Sequence, residues 1–535
     1  MQSMENQAIK DFASVRDDYA ALLEEHSLKY TIDNHYLICK QAVVEDYIKV
    51  YLSVVISQLP TLLQLMTPEF VQLGLGFGMV KNQSSAKLVL NGYLGAEHVG
   101  KVVIVFVPNG MEGLLQRLVR LTADFYGPRV PGMVQLNDCV FIDRSEKGEG
   151  INCQMDHIQV PIDAADPAVS FIAPADTGKE ILRQINDAHE DIGADTVIPV
   201  SFIDQIDTRQ NTSGQCNPVN RGSDNNSVLT DQAKTGSKIK TKYRDVSPAE
   251  RNKKPRIQVL ADKYIVLSEL KSDPKGDVLK ALYLNKYLLP VWCIIKEGKK
   301  YMVSDSAGRD MDDRLNWQQH IYYQLASVVH IPKVFELFQQ DGNTYLVMEW
   351  IRGISLRKVI DRVYKGRSWK EITRQDKIKL LELLLEMIQM IDRIHTKGFL
   401  HRDISTANFL VGRKGKIYLI DWELAFDLNA QYPLPPFGFG TPGFMSPEQN
   451  LGRLPSVKED IYGLSALMLV FFTGIRVKNL SKEVKEDMTG FVYGHTGMEN
   501  ITGLIGRGLD KEAANRPGLE EIREQVRSLI GDLVR

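Results

Sequence analysis

The pattern of apolar and polar positions divides the C-terminal half of the chain into a strand-rich part and a helix-rich part. From Ile257 to Trp350 short apolar runs predominate, interrupted by one helical pattern near Arg314–Val328. Beyond residue 350 the apolar positions recur at the three-to-four-residue spacing of amphipathic helices, over Asp376–Thr396, Asp460–Thr473 and Leu519–Leu533. This order predicts a small β-rich lobe at 257–350 and a larger helical lobe at 351–535.

The first 207 residues predict a separate α/β domain. The run Val102–Val107 is apolar throughout and predicts a buried strand, and Arg117–Phe125 predicts an amphipathic helix that ends before Gly127-Pro128. A glycine cluster at Gly74, Gly76 and Gly78 predicts a flexible turn, because the strand–turn–helix spacing of a dinucleotide-binding fingerprint is missing around it.

The segment Thr208–Arg256 differs in composition from both halves. Ser, Asn, Thr, Gly and Gln dominate it and aromatic residues are nearly absent, so it cannot bury enough apolar surface to offset its ordering entropy. We therefore expect a flexible linker at 208–256. Its basic end, from Lys238 to Arg256, favours a solvated charge run over a docking surface for an acidic peptide.

The overall composition excludes several classes of protein. The 535 residues are 44% hydrophobic and 25% charged, as in a soluble globular protein, and the formal net charge of -2 argues against a nucleic-acid partner. The chain has no run near the ~20 apolar residues that a membrane span needs, and no signal peptide is visible. Five cysteines without metal-site spacing suit a reducing compartment. We expect a cytoplasmic protein without membrane or nucleic-acid partners.

The candidate catalytic residues occur in two segments, His401-Arg402-Asp403-Ile404-Ser405-Thr406-Ala407-Asn408 and Leu419-Ile420-Asp421. Phosphoryl transfer from a nucleoside triphosphate needs an acid to orient the attacking hydroxyl, and an amide and a second acid to hold metal on the phosphates. The spacing resembles the catalytic loop and metal-binding segment of protein kinases. The resemblance implies that Asp403 is the catalytic base and that Asn408 and Asp421 bind Mg²⁺, a cation that prefers oxygen ligands. His401, Arg402 and Ser405 would support them.

Other segments extend the resemblance to a two-lobed protein kinase fold of the α+β class. The strand Val291–Lys296 would present Lys296 to the α and β phosphates of ATP. The run Tyr345–Ile351 would join the lobes, with Met348, Glu349 and Ile351 next to the adenine. The segment Gly440–Glu448 is similar to the end of a kinase activation segment, and Glu448 would form a structural ion pair with Arg516. The implied cofactors are ATP and Mg²⁺.

Two departures from the kinase pattern affect the nucleotide site. Of the usual glycine-rich loop only Gly276, two residues before Val278, remains to contact the nucleotide. Gln318 stands where a helix glutamate usually pairs with Lys296. A neutral amide still accepts a hydrogen bond but lacks charge assistance, a difference of roughly 1 kcal/mol, or about a factor of five to ten in rate. We expect slower turnover from this difference, not loss of activity.

The activation segment has a third departure. Between Asp421 and Gly440 the chain contains no serine or threonine. The usual ordering of this segment pairs a phosphorylated side chain with the arginine before the catalytic aspartate, here Arg402. We expect activity without phosphorylation of this stretch.

Two further departures together indicate a narrower resemblance. Ser405 replaces the usual lysine, and Asp421 is followed by Trp422-Glu423 in place of Phe-Gly. These strings, with Gly440–Phe444, resemble the kinase domain of class III and class IV lanthipeptide synthetases, which phosphorylate Ser/Thr of a ribosomal precursor peptide and then eliminate the phosphate. The resemblance implies that residues 1–207 form a lyase-like domain and that the cyclase domain of those synthetases is absent.

The lyase-like half lacks the residues that the family uses for elimination. The family has a Lys-x-His strand and a Phe-Lys pair, whereas the matching strands here read Tyr36-Leu37-Ile38-Cys39-Lys40 and Phe77-Gly78-Met79. Acid and base groups contribute about 10²–10⁴-fold each, so a degenerate domain that binds peptide or supports the kinase is favoured over an active lyase. The interpretation as an active lyase stays open, because three other candidate groups lie nearby in sequence: His35, Lys40 and Lys81.

The favoured hypothesis is an ATP-dependent Ser/Thr kinase that phosphorylates a peptide or protein, such as a ribosomal precursor in lanthipeptide-like biosynthesis, with separate lyase or cyclase enzymes as partners. A bifunctional kinase and phospho-Ser/Thr lyase, and a pseudokinase scaffold, remain as alternatives. The segment Gly440–Glu448 argues against a small-molecule kinase of the aminoglycoside type.

Overall fold

The computed structural model describes residues 19–39, 47–143, 258–438, 440–477 and 487–535. The predicted linker at 208–256, Lys40 and the stretch 144–207 of the predicted N-terminal domain lie outside the described residues, and the domain boundaries stay predictions. The described residues divide into two compact units. The larger holds those up to 143, 268–281 and those from 292 onward, and the smaller holds 258–267 and 282–291.

The N-terminal part of the larger unit is built on an antiparallel sheet. Its elements are α1 (Ala20–Glu25), β1 (Thr31–Asp33), β2 (Tyr36–Cys39), β3 (Tyr47–Leu52), α2 (Leu59–Gln72), β4 (Gly76–Val80), α3 (Gln83–Leu90), β5 (Val103–Pro108), α4 (Glu112–Leu121), β6 (Val134–Gln135) and β7 (Val140–Ile142). The strands lie in the order β1-β2-β4-β5-β3-β7-β6, and every pair is antiparallel.

The predicted mixture of helices and strands is confirmed, but the strands are not arranged as an α/β domain. Antiparallel pairing throughout this sheet places it in the α+β class. The apolar run at 102–107 suggested burial on both faces, yet along β5 buried residues alternate with partly buried ones, Ile104 and Phe106. Phe106 packs edge-on against Tyr47, with ring centroids 5.1 Å apart. One face of the strand therefore lies in the core and the other carries a thinner apolar layer.

Two local predictions in this part need correction. Helix α4 covers 112–121 and not 117–125, because the side chain of Asn137 donates to the carbonyl of Val119 at 3.1 Å and ends the last turn. Gly74 lies in a turn with φ +65°, as expected, but Gly76 and Gly78 lie inside β4. A Cβ on Gly78 would approach Ile38 Cδ1 to 2.7 Å, so this glycine permits close packing within the sheet and not a flexible turn.

The C-terminal part begins with strands and one helix. Its first elements are β8 (Val259–Leu260), β9 (Tyr264–Lys271), β10 (Val278–Leu284), β11 (Pro290–Gly298), α5 (Met311–Leu325), β12 (Val334–Gln340) and β13 (Asn343–Glu349). In the larger unit the strands lie in the order β12-β13-β11-β10-β9, with β13 antiparallel to both β11 and β12. In the smaller unit β8 pairs with the start of β9. The predicted strand-rich section with one helix is confirmed.

The remaining elements are mostly helical. They are β14 (Gly353–Ser355), α6 (Leu356–Tyr364), α7 (Arg374–Thr396), β15 (Phe399–Leu400), β16 (Phe409–Gly412), β17 (Ile417–Leu419), β18 (Phe426–Asp427), α8 (Pro447–Asn450), α9 (Val457–Thr473), α10 (Met488–Thr496), α11 (Glu499–Gly508) and α12 (Leu519–Val534). Helices α7 and α9 begin at side-chain caps, where Thr373 and Ser456 accept a backbone N–H. Their apolar faces form the core beneath the short strands.

In the described ranges, no helix combines the length and the apolar character that crossing a membrane requires.

Candidate active site

The loop between β15 and β16 is held in place by a buried carboxylate at the start of α9. Asp460 accepts the backbone N–H of His401 at 3.0 Å and that of Arg402 at 2.7 Å, and it lies 2.8 Å from Nε2 of His395. Burial alone would raise the pKa of Asp460, but His395 and the backbone amide of His401 hold it below its ordinary value. The loop is therefore anchored by an ionised group.

Both carboxylate oxygens of Asp403 accept hydrogen bonds. Asn408 Nδ2 donates to Oδ2 of Asp403 at 2.7 Å and to its carbonyl at 2.9 Å, and the N–H of Thr441 donates to Oδ1 at 2.9 Å. The hydroxyl of Thr441 also donates to Ser405 Oγ at 3.4 Å. These contacts orient the carboxylate and connect the catalytic loop to the end of the activation segment.

Asn408 and Asp421 lie at the same end of the β16–β17 pair. Phe409 pairs with Leu419, and the N–H of Ile420 donates to the carbonyl of Asn408 at 2.9 Å. An amide oxygen and a carboxylate suit a hard divalent cation. Within the described ranges no group of three or more His, Cys, Asp or Glu residues could hold a metal by itself. A cation here would need further oxygen ligands, which phosphates and water supply in phosphoryl-transfer sites.

Lys296 on β11 is brought to this pair by side-chain contacts. Its Nζ lies 2.5 Å from Oδ1 of Asp421, 2.8 Å from Oε2 of Glu423 and 3.1 Å from Oε1 of Gln318. Burial would lower the pKa of Lys296, but the Coulombic effect of Asp421 and Glu423 holds it above its ordinary value. The predicted lysine, metal-binding acid and helix glutamine therefore lie together, and the lysine is charged.

Glu423 is a site residue that the sequence reasoning missed. It is 6% exposed, and its carboxylate also accepts a bond from Lys275 Nζ at 2.5 Å. Burial alone would raise its pKa, but Lys275, Lys296 and Arg314 hold the pKa of Glu423 well below its ordinary value. An acidic residue two positions after Asp421, where glycine is usual, was the available sequence signal.

The expectation of slower turnover from Gln318 stays a prediction, but the structure adds a charge partner that it did not include. The carboxylate of Glu423 lies 2.8 Å from Lys296 Nζ, so Lys296 has a charge partner besides Asp421. Gln318 donates to the hydroxyl of Tyr322 at 3.3 Å, and burial raises the pKa of Tyr322 to about 12. The glutamine therefore links Lys296 to a neutral phenol.

Most residues proposed to contact the nucleotide lie on three strands, whereas Gly276 precedes β10 and Ile351 follows β13. Val278 begins β10, and Met348 and Glu349 end β13, where Met348 pairs with Ile294 of β11. The backbone N–H of Glu349 donates to Lys333 at 2.8 Å, whereas that of Ile351 has no acceptor among the described residues. Ile351, which is 7% exposed, therefore has no backbone acceptor for its N–H among the described residues.

Gly276 is required by packing against β11. Its φ is +146°, and a Cβ there would lie 2.0 Å from the carbonyl oxygen of Glu297. The same loop touches the N-terminal part of the chain, since a Cβ on Gly92 would meet Pro274 at 2.5 Å. The loop is therefore fixed from two sides, and its lysine, Lys275, points to Glu423 as described above.

The guanidinium group of Arg402 forms hydrogen bonds to other groups of the chain. Its Nε donates to Glu459 at 2.7 Å, and its Nη1 donates to the carbonyls of Leu424 and Phe437 at 3.1 and 2.8 Å. Both carbonyls belong to the activation segment. The arginine that would bind a phosphorylated side chain therefore orders the unmodified segment through its backbone.

Glu448 and Arg516 form the expected bidentate pair. Arg516 Nη1 and Nη2 donate to the two oxygens of Glu448 at 2.6 and 2.8 Å, and the Arg516 side chain is fully buried. The pair connects the end of the activation segment to the last part of the helical lobe and lies away from the residues that hold Lys296.

In the N-terminal part, two of the three residues that kept the lyase interpretation open, His35 and Lys81, lie together. Lys81 N–H donates to the carbonyl of His35 at 2.9 Å, while its Nζ donates to the carbonyl of Asn34 at 2.8 Å. His35 Nδ1 lies 3.4 Å from Ser85 Oγ. Lys40 lies outside the described residues. The favoured degenerate domain and the alternative of an active lyase both stay untested predictions.

Comparison with known proteins agrees with this geometry. Residues 297–535 match the family model of the protein kinase domain. The chain is 25% identical over 272 residues to the serine/threonine-protein kinase PknA of Nostoc sp., a match that covers 49% of this chain and 45% of that protein. It is 24% identical over 233 residues to serine/threonine-protein kinase C of Synechocystis sp., covering 42% of this chain and 41% of that protein.

A mammalian relative shows the highest identity of the three over a shorter stretch. The chain is 32% identical over 199 residues to the serine/threonine-protein kinase Nek2 of Mus musculus, covering 36% of this chain and 44% of that protein. The chain thus spans less than half the length of these relatives. Protein kinase domains use ATP and a divalent metal, and the similarity supports both for residues 297–535.

Proposed function

We propose that the protein transfers the γ-phosphate of ATP to serine or threonine of a protein or peptide, with Mg²⁺. The match of residues 297–535 to the protein kinase domain and the similarity to serine/threonine-protein kinases support this proposal. The observation that carries the proposal is the convergence of Lys296 and Asp421 at 2.5 Å, beside an Asp403–Asn408 pair at 2.7 Å. A lysine for the phosphates and an acid for the metal thus lie near Asp403, the proposed base.

Each residue has one role in the proposed reaction. Asp403, with both oxygens oriented by amide donors, accepts the proton of the attacking hydroxyl. Lys296 places a fixed positive charge at the phosphates, and Asn408 and Asp421 hold the Mg²⁺. The metal, when bound, neutralises charge that develops on the phosphoryl oxygens. Thr441, bonded to both Asp403 and Ser405, positions the segment that presents the acceptor side chain.

Phosphate transfer and nucleotide binding are tested separately. We expect wild-type protein to gain thermal stability with Mg-ATP and to transfer γ-phosphate to a Ser/Thr peptide library, whereas Asp403→Asn keeps the thermal shift and loses about 10²–10⁴-fold in rate. Asp421→Asn should lose most of the metal-dependent shift. Wild-type protein that binds Mg-ATP without transferring phosphate would identify a pseudokinase scaffold, and no thermal shift would refute the nucleotide site itself.

The finer substrate hypothesis rests on the sequence resemblance alone. We propose a ribosomal precursor peptide as the substrate, with the N-terminal part binding peptide or supporting the kinase. Mass spectrometry of candidate precursors separates the outcomes, because a kinase adds the mass of a phosphate whereas a kinase–lyase leaves the peptide lighter by one water. Phosphorylation of general proteins but of no precursor would contradict the finer hypothesis and leave the kinase proposal intact.

A further inference from the structure

A basic groove lies in the helical lobe, apart from the catalytic residues. It is a cavity of about 670 Å³ between β14, α6, the start of α7 and the end of β16. Six cationic side chains and one carboxylate, that of Asp376, line it. The cations, called the groove cations below, are Arg352, Arg362, Lys365, Arg367, Lys379 and Arg413.

The charge of the groove is only partly neutralised by neighbouring acids. Within the described part of the chain, Arg367 is the one groove cation whose side chain has bonding partners. It donates to two backbone carbonyls and lies 3.8 Å from Asp376. Asp376 also accepts the hydroxyl of Thr373 at 2.9 Å. Five like charges around one cavity repel each other and raise the local potential, which favours a bound anion.

The floor of the groove is apolar. Val359 and Val363 on α6 and Leu383 on α7 lie beneath the cations, with Ile354 and Val411 on the adjoining strands. A ligand that fills the groove must therefore present both acidic and aliphatic groups. No aromatic side chain lines it. Proteins that bind single-stranded nucleic acid use aromatic side chains to stack bases, so the lining favours a peptide over a nucleic acid.

The groove also adjoins the proposed active site through continuous strands. Gly353, at its edge, pairs with Gly412 and follows the segment that ends at Ile351. Val411 in the floor follows Asn408 by three residues of strand, about 10 Å. A chain held in the groove is thus within a few residues' reach of the catalytic loop.

We propose that this groove is a docking site for an acidic segment with aliphatic side chains in the protein substrate, separate from the residue that is phosphorylated. The proposal deepens and rests on the proposed kinase function, because docking raises the effective concentration of the acceptor side chain. The carboxylates of the segment contact the groove cations and its aliphatic side chains cover the apolar floor.

Direct binding tests the docking site without any phosphate transfer. The probe is a fluorescein-labelled peptide of mixed Glu and Leu, titrated with the full chain and followed by anisotropy. We expect saturable binding that weakens as salt is raised from about 50 to 300 mM and falls at least about tenfold in the double variant Arg352→Glu/Lys379→Glu. A Lys/Leu peptide of the same length should not bind.

The matched control is Lys397→Glu. Lys397 is also exposed, follows the same helix, α7, and lies 18 residues beyond Lys379, about 27 Å at the helical rise. It should leave binding unchanged. Equal loss in the control and the double variant would overturn the site, and so would stronger binding of a single-stranded oligonucleotide than of the acidic peptide.

A kinetic experiment distinguishes a wrong docking proposal from a wrong kinase proposal. Two Ser-containing peptides are compared, one with the Glu/Leu segment appended and one without. We expect the appended segment to lower KM about tenfold in wild type only, with kcat unchanged and with the plain peptide phosphorylated equally by wild type and double variant. Equal KM values for both peptides would overturn docking, whereas no transfer to either would overturn the proposed function and leave the binding result standing.

Discussion

Replacing Glu423 by glutamine tests whether this buried carboxylate of the activation segment holds two lysines of the small lobe, Lys275 and Lys296. The side chains of Glu423 and Lys296 are 8% and 11% exposed, and that of Lys275 is 25% exposed. A glutamine of the same shape keeps the hydrogen-bonding atoms but removes the charge. The two bonds, at 2.5 and 2.8 Å, would change from charge-assisted to ordinary.

The magnitude follows from those contacts. Charge assistance is worth about 1 kcal/mol for each bond, and weakening one partner of the largely buried Lys296 adds about 1 kcal/mol more. We expect Glu423→Gln to reduce the free energy of unfolding by about 2–3 kcal/mol. For a domain of this size the melting temperature would fall by about 5–10 °C.

The assay is thermal unfolding of nucleotide-free protein at pH 7.5 and at lower pH. Since the folded-state pKa of Glu423 is depressed, its contribution is fully present above the ordinary glutamate value of 4.5 and is lost as pH falls through the folded pKa. The difference between wild type and variant should therefore stay constant from pH 8 to about 5 and shrink below that.

The control is Glu524→Gln. Glu524 pairs with Arg527 at 2.8 Å, but both side chains are about half exposed, and such pairs are worth about 0–1 kcal/mol. The control should shift the melting temperature by under about 2 °C. If Glu423→Gln shifts it no more than the control does, Glu423 does not hold the two lysines and the reasoning is refuted.

Three further predictions concern the same domain. Gln318→Glu should not raise the rate of phosphate transfer, since Lys296 already has two carboxylates within 2.8 Å, and a severalfold increase in kcat would contradict this. Glu448→Ala should lower the free energy of unfolding by about 3 kcal/mol in chemical denaturation, because it leaves a buried arginine unpaired; a change under about 1 kcal/mol would count against a structural role. Protein treated with phosphatase and shown by intact mass to carry no phosphate should retain full activity, because Arg402 already bonds Glu459 and two carbonyls of the activation segment; activity that returns only with phosphate on residues 421–440 would overturn this.

The sequence alone predicted the order of most helices and strands in the C-terminal half and a candidate chemistry for the loop at 401–408. Periodicity located α7, α9 and α12 to within about three residues, because an amphipathic face repeats along the chain and its caps are local. The spacing of Asp403, Asn408 and Asp421 indicated phosphoryl transfer because these residues flank one short strand pair. Information of this kind lies within a few tens of residues and needs no knowledge of the rest of the fold.

The tertiary structure decided how distant side chains share charge and space. Glu423 accepts hydrogen bonds from Lys275 and Lys296, which lie 148 and 127 residues away in the sequence. No local sequence pattern could therefore have predicted these ion pairs. The pairing of β2 with β4 likewise turned Gly78 from an expected turn into a close-packing position. Local periodicity and spacing report the backbone and its caps, whereas electrostatic pairing and close packing depend on which segments meet after folding, and only the folded chain brings those segments together.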